Sequence, residues 1–305
     1  MTTEVPPPAG RGKVPVGRTA IESYRFVFIN LDRFLELGWL PIVAAFAVNM
    51  ASGVLANVDP REAASVADWV TYITLIAISW AIYAVFAVRW HRFFLLDERE
   101  SVFSEVFVAR NWRFLGYMLL LSFVPMFPMM IGGLVGFGDS LPEAGPQAIE
   151  TFNWTLIILF GLYILGAPIL FFVLFRFSLV LPATAVDRPL TLGEAWRNMR
   201  DHTWRFIGCF FLVGIPPVIL MLILLAIFGM SLVGGGTTGG APEPATHLLV
   251  TARPTIGVLV ASNAVMTIVG FFATAAAVTV LSKFYRHIVG MDAPGSGAHV
   301  LAEGP

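Results

Sequence analysis

The residues of this chain that could do chemistry are few. Three histidines, His91, His202 and His287, each fall beside a basic stretch, and three imidazoles are in principle enough to hold a metal ion. Their spacing does not favour it: there is no H-E-x-x-H or similar pattern, and Arg92, Arg205 and Arg286 beside them would repel a cation. They read instead as interfacial histidines that meet water and lipid headgroups. The single cysteine, Cys209, excludes an internal disulfide and a cysteine-built zinc site, and reads as an inert packing residue. No serine sits in a G-x-S-x-G elbow and there is no phosphate-binding P-loop. The expectation is therefore a chain with no catalytic residue, no metal and no cofactor.

What must position any site is a set of apolar helices. Hydrophobic residues make up 57% of the 305 residues and charged residues 13%, a charged share about half of that usual in soluble proteins. Six segments lack Asp, Glu, Lys and Arg altogether: Leu37–Ala56, Trp69–Val88, Phe114–Phe137, Trp154–Phe175, Ile207–Val233 and Ile256–Leu281. At ~1.5 Å per residue each spans a hydrocarbon core of ~30 Å, and each must be helical because lipid offers no partner to a free N–H or C=O. Ion-coupled transporters and proton relays carry carboxylates, histidines or basic residues at this depth; these segments have none. Their most polar residues are Asn49 and Asn263, whose amides suit hydrogen bonds between helices better than substrate binding. Prolines fall in four of the segments, at Pro41, at Pro125 and Pro128, at Pro168, and at Pro216 and Pro217; each removes a backbone hydrogen bond and kinks its helix.

Charge fixes the expected orientation. Of the 19 Lys and Arg residues, all but Arg61 and Arg253 lie in the N-terminal segment, residues 89–113, residues 176–206 or the C-terminal segment. The other three loops carry acids instead. The positive-inside rule then puts both termini in the cytoplasm, in a multi-pass protein of the bacterial inner membrane. Residues 1–18 and 291–305 read as disordered cytoplasmic tails around a membrane domain at 19–290. A net charge of −1 gives no case for nucleic acid as a partner.

The basic segments repeat. When Thr19 is set on Thr191, Glu22 falls on Glu194, Tyr24 on Trp196, Arg25 on Arg197, Arg33 on Arg205 and Phe34 on Phe206. Thr-x-x-Glu is a capping box, so a helix is expected to begin at each threonine. Ile21, Tyr24, Phe28 and Leu31, and likewise Leu192, Ala195, Trp196 and Met199, make apolar stripes that suit helices lying in the membrane interface. A weaker third copy at Ser104–Phe114 lacks its threonine. The spanning helices that close each unit end alike, at Arg89-Trp90, Arg176-Phe177 and Lys283-Phe284. The expected fold is all-α: a polytopic membrane helix bundle with six transmembrane helices in three parallel repeats, each one interfacial amphipathic helix plus a two-helix hairpin. Tryptophan and arginine also recur at membrane boundaries simply as belts and anchors. Arg33, Arg89, Trp90, Trp112, Arg113, Trp204, Arg205, Lys283 and Arg286 are the residues expected at the lipid interface.

The run Arg176-Phe-Ser-Leu-Val-Leu-Pro-Ala-Thr-Ala-Val-Asp187, followed by Leu192-Gly-Glu-Ala-Trp-Arg197, resembles a group of bacterial six-span membrane proteins that includes the membrane domain of some glycerophosphoryl diester phosphodiesterases. The resemblance implies a helix end, a short acidic turn and an amphipathic helix leading into the next span. It transfers no catalytic residue, and the soluble phosphodiesterase domain has no counterpart here. The function expected is a non-enzymatic scaffold, assembly factor or regulator whose partners are membrane lipids, anionic ones among them, or another membrane protein. The alternative is a passive permease or channel for a small solute. An intramembrane enzyme ranks last, for want of an acid–base pair.

Overall fold

The computed structural model describes residues 14–56, 66–98, 108–122, 161, 165–166, 168–188, 190–234 and 256–290. All regular structure among them is helical. The helices are α1 (Val16–Ile29), α2 (Leu31–Ala56), α3 (Val66–Leu96), α4 (109–122), α5 (168–177), α6 (Val180–Ala185), α7 (Leu192–Met199), α8 (Thr203–Gly234) and α9 (Ile256–Val289). Five stretches are long and apolar enough to cross a membrane: Leu31–Ser52, Val70–Leu96, Pro168–Ala185, Thr203–Leu224 and Ile256–Val289. The chain therefore has the build of a multi-pass membrane protein. The expected span at Phe114–Phe137 is helical as far as 122, and its remainder lies outside the described residues. Of the one expected at Trp154–Phe175, residues 161, 165–166 and 168–175 are helical and the rest lie outside the described residues; the apolar stretch runs on past Phe175, through a turn at Ser178–Leu179, to Ala185.

The helices also outrun the apolar segments read from the sequence. Backbone hydrogen bonding does not stop at the first charged side chain, so α3 continues past Val88 and carries Arg89, His91 and Arg92, and α9 carries Lys283, Arg286 and His287. The absence of ionisable residues holds for the six windows but not for α2, α3, α8 and α9, which contain four of them. α9 stops at Gly290, which sits at φ 81°, a left-handed cap that favours glycine, with its N–H on the Arg286 carbonyl at 3.1 Å. Asp97 ends α3 in the same way, at φ 53°.

The chain divides into two compact units. One comprises Pro15–Val106 and Gly208–Lys283. There, α2 packs on α3, and α9 ties to both through rings and side-chain bonds. Tyr83 stacks on Phe271 with centroids 4.4 Å apart, its hydroxyl 3.0 Å from where a Cβ on Gly270 would stand, so the glycine permits the approach. Phe34 meets Phe86, Trp90 and Phe272 in edge contacts, the preferred geometry for aromatic rings. The other unit comprises Met1–Val14, Phe107–Ile207 and Phe284–Pro305. Its core gathers Phe206 against Phe175 and Phe284, with Phe114 and Leu179 buried as well.

α1 corrects the capping-box reading at Thr19. The helix begins three residues earlier, at Val16, after Pro15, and no side chain caps it. Residues 16–18 are thus helical rather than tail. Thr19 is buried inside the first turns, its N–H on the Pro15 carbonyl at 3.0 Å. Glu22 pairs instead with Arg18 Nε at 2.7 Å and Lys283 Nζ at 3.0 Å; two cations outbid a backbone N–H, because charge-assisted bonds are the stronger. The second box forms as expected. Glu194 N donates to Thr191 Oγ1 at 3.2 Å and Thr191 N to Glu194 Oε2 at 2.8 Å, so α7 starts at Leu192. Thr191→Ala is expected to cost ~0.5–2 kcal/mol and to expose the Leu192–Met199 segment to protease; unchanged nicking would count against the cap.

Candidate functional site

The residues expected at the lipid interface do not stand alike. Trp90 is wholly buried, its Nε1 donating to Thr279 Oγ1 at 2.9 Å and its ring against Phe26, Phe34 and Phe93. This overturns its reading as an interface anchor: α3 turns the indole inward, where one polar atom needs one partner and finds it. His91, next in sequence, is also fully buried, with Nδ1 and Ser282 Oγ 2.7 Å apart. The reading of His91 as a histidine at the water–headgroup boundary is corrected on the same ground. Thr279 and Ser282 each donate onward to the carbonyl four residues back, Ala275 and Val278, at 2.8 Å. Consecutive side chains of α3 are thus bonded into two successive turns of α9.

Arg33 pairs with Glu36, and Lys283 with Glu22, so both cations are met inside their own unit. Arg205 Nη1 donates to the Val14 carbonyl at 2.9 Å. Arg89 and Arg286 are half-buried. Trp112 and Arg113 on α4 and Trp204 at the start of α8 face outward, Trp112 with 56% and Trp204 with 74% of its surface exposed. Asn49 Nδ2 donates to Thr267 Oγ1 at 3.3 Å, joining α2 to α9; Asn263, one turn before Thr267 on α9, is half-buried.

The apolar stripes fare differently from one another. On α7, Ala195 and Met199 are buried within their unit and Trp196 lies against Phe177. Three of its four stripe residues are therefore spent on the protein, Leu192 stays exposed, and the outward residues further along are Arg197, Asn198 and Arg200. On α1 the buried residues are the small ones, Thr19, Ala20, Ser23 and Val27, while Ile21 and Phe28 stand 69% and 61% exposed. α1 thus keeps large apolar side chains exposed, and α7 basic ones.

Three contacts had no forewarning in the sequence. Tyr24 Oη donates to the Val213 carbonyl. Pro217 lies four residues on inside α8 and has no N–H to return that bond. Arg176 spreads its guanidinium over Trp196 at 4.3 Å and Phe172 at 5.1 Å, and donates to Thr203 Oγ1 at 3.3 Å and the Arg200 carbonyl at 3.4 Å. Asp187, at φ 55°, accepts from Arg110 Nη1.

His202 and His287 meet edge to face, centroids 5.7 Å apart. Burial holds His202 below the ordinary histidine range, with His287 and Arg205 pushing the same way and Asp201 opposing. A folded-state value below the unfolded one means full stability above about pH 6.5 and loss as pH falls through that value. Melting in detergent is expected to fall between about pH 7 and pH 5. His202→Gln should flatten that slope; an unchanged slope would remove His202 as its source. Among the described residues no group of three or more His, Cys, Asp or Glu is placed to hold a metal ion.

Comparison with known proteins finds no matching family model, curated protein or solved structure.

Proposed function

We propose that this chain is a six-span protein of the bacterial inner membrane, with both ends in the cytoplasm, that acts without catalysis as a scaffold, assembly factor or regulator by binding lipid or another membrane protein. The observation that carries this reading is how the polar groups are used. Inside, Trp90, His91, Asn49 and Arg176 bond to other parts of the fold; outside stand the apolar face of α1 and the basic face of α7. A protein built to bind surfaces needs the second; one built for acid–base work needs ionisable groups held open, and among the described residues the buried His91 and Arg110 bond to Ser282 and Asp187.

Burial supports the pairing of the first and third units of the proposed repeat. The 172-residue shift that carries Thr19 onto Thr191 also carries buried Ser23, Val27, Phe34 and Leu37 onto buried Ala195, Met199, Phe206 and Cys209. It carries the bond from Phe34 N to Asn30 O onto that from Phe206 N to His202 O. Setting Arg89 on Lys283 likewise superposes buried Phe86, Val88, Trp90 and His91 on Val280, Ser282, Phe284 and Tyr285. The kinship with the membrane domain of glycerophosphoryl diester phosphodiesterases belongs to the same proposal. In the run that carries it, Arg176, Asp187 and Glu194 all serve architecture, as a motif without chemistry would.

The test is purification of tagged protein in mild detergent with mass spectrometry of the lipids and proteins that accompany it. Enriched anionic lipid or a reproducible protein partner is expected. Bare protein, together with solute flux through reconstituted liposomes, would replace this reading by the passive permease.

A further inference from the structure

We propose that the outward face of α7 is a binding surface for the headgroup phosphates of anionic phospholipid, with Arg197 and Arg200 as the phosphate ligands and Trp204 as the anchor beside them. The inference rests on the membrane reading above and names the ligand class and the residues. Arg197 and Arg200 are exposed and three residues apart, so they share a helix face. The backbone at Arg200 keeps helical angles, φ −49° and ψ −48°, and Trp204 follows one turn on with its ring exposed. The apolar stretch of α8 begins at Thr203. Arg200 therefore stands three residues, and Arg197 six, before the first residue of that apolar stretch, near the depth of lipid phosphate, where planar donors can engage it in pairs.

Charge complementarity selects the partner. Among its described residues this unit holds eight arginines (Arg110, Arg113, Arg176, Arg188, Arg197, Arg200, Arg205 and Arg286) against three carboxylates. Of those three, Asp187 is engaged by Arg110 and Glu194 by the cap of α7, which leaves Asp201. Arg197 and Arg200 form no ion pair among the described residues. The other unit is balanced, with six basic and six acidic residues, and its Arg18, Arg33, Arg92 and Lys283 are all paired. The sequence repeat makes α1 and α7 equivalents; their surroundings make only α7 a seat for anions.

Phosphatidylglycerol and phosphatidylcholine are titrated in turn into the detergent-solubilised full chain. Wild type is compared with Arg197→Gln/Arg200→Gln, with Arg197→Lys/Arg200→Lys, and with Arg25→Gln/Arg33→Gln, which removes the same charge from the other unit. Wild type is expected to prefer phosphatidylglycerol in a salt-sensitive way. The α7 glutamine pair should weaken that binding roughly five- to thirtyfold with its melting temperature unchanged. The α1–α2 pair should stay near wild type, and the lysine pair, which keeps the charge without the planar fork, should fall between wild type and the glutamine pair. If both glutamine pairs weaken binding alike, or the α7 pair does not, the surface is not on α7, although the protein still binds anionic lipid. If wild type shows no preference at all, this proposal fails together with the lipid branch of the proposed function.

Discussion

Arg176→Ala is expected to lower stability in detergent by about 2–4 kcal/mol and to free α7 from α5. The side chain stacks on two rings, each contact worth about 0.5–2 kcal/mol according to how dry it is. Its two hydrogen bonds are long, 3.3 and 3.4 Å, which puts them near the low end of the ~1.5–3 kcal/mol of a charged bond. Thr203 Oγ1 keeps its own bond to the Met199 carbonyl at 2.7 Å, so the loss comes from the arginine rather than from an orphaned hydroxyl. Lysine keeps the charge without the planar fork, and Arg176→Lys should recover less than half. Thermal unfolding and protease nicking near Leu192–Met199 read both. Equal stability of wild type and the alanine variant would mean that stacking on Trp196 holds nothing together.

Tyr24→Phe is expected to cost about 1–3 kcal/mol, the penalty for leaving a buried carbonyl without a donor. Val213 is buried, and Pro217 cannot return the bond that the next turn of α8 would otherwise supply. α1 is thus fastened to α8 at the point where the proline interrupts it. Two further contacts hold the same junction: Cys209 Sγ donates to the Val16 carbonyl at 3.4 Å, and Gly208 leaves room for the Val16 side chain, 3.3 Å from where its Cβ would stand. The decisive comparison is a double-mutant cycle. Pro217→Ala restores an N–H to Val213, so Tyr24→Phe should become nearly neutral in that background. Equal costs in both backgrounds would break the link between the tyrosine and the proline.

The all-helical, membrane-like build was legible because apolar length alone determines it: Leu37–Ala56 and Ile256–Leu281 fall wholly inside α2 and α9. Helix ends were not, since a charged residue marks where hydrocarbon stops and not where the backbone stops bonding; α3 runs on from Val88 to Leu96. The two segments share the Thr-x-x-Glu pattern, and only one forms the box, because Glu22 has Arg18 and Lys283 within reach while Glu194 has its own backbone. The direction of a side chain is equally hidden. Trp90 and Trp204 both border arginine in sequence, yet one indole is sealed among aromatic rings and the other stands exposed. Pro217 announces an orphan carbonyl, but nothing local says that Tyr24, 189 residues away, supplies its donor.

The proposed function places the basic face of α7 and both chain ends on the cytoplasmic side, joined by an even number of spans and oriented by the positive-inside rule. Reporter fusions test this most directly, with alkaline phosphatase joined after Pro305 or inserted in the glycine-rich segment 234–244 of the full chain. The account predicts an inactive reporter at Pro305 and an active one at 234–244. An active phosphatase at Pro305 would contradict the cytoplasmic orientation and turn the arginines of α7, two spans upstream, away from the leaflet they are proposed to bind.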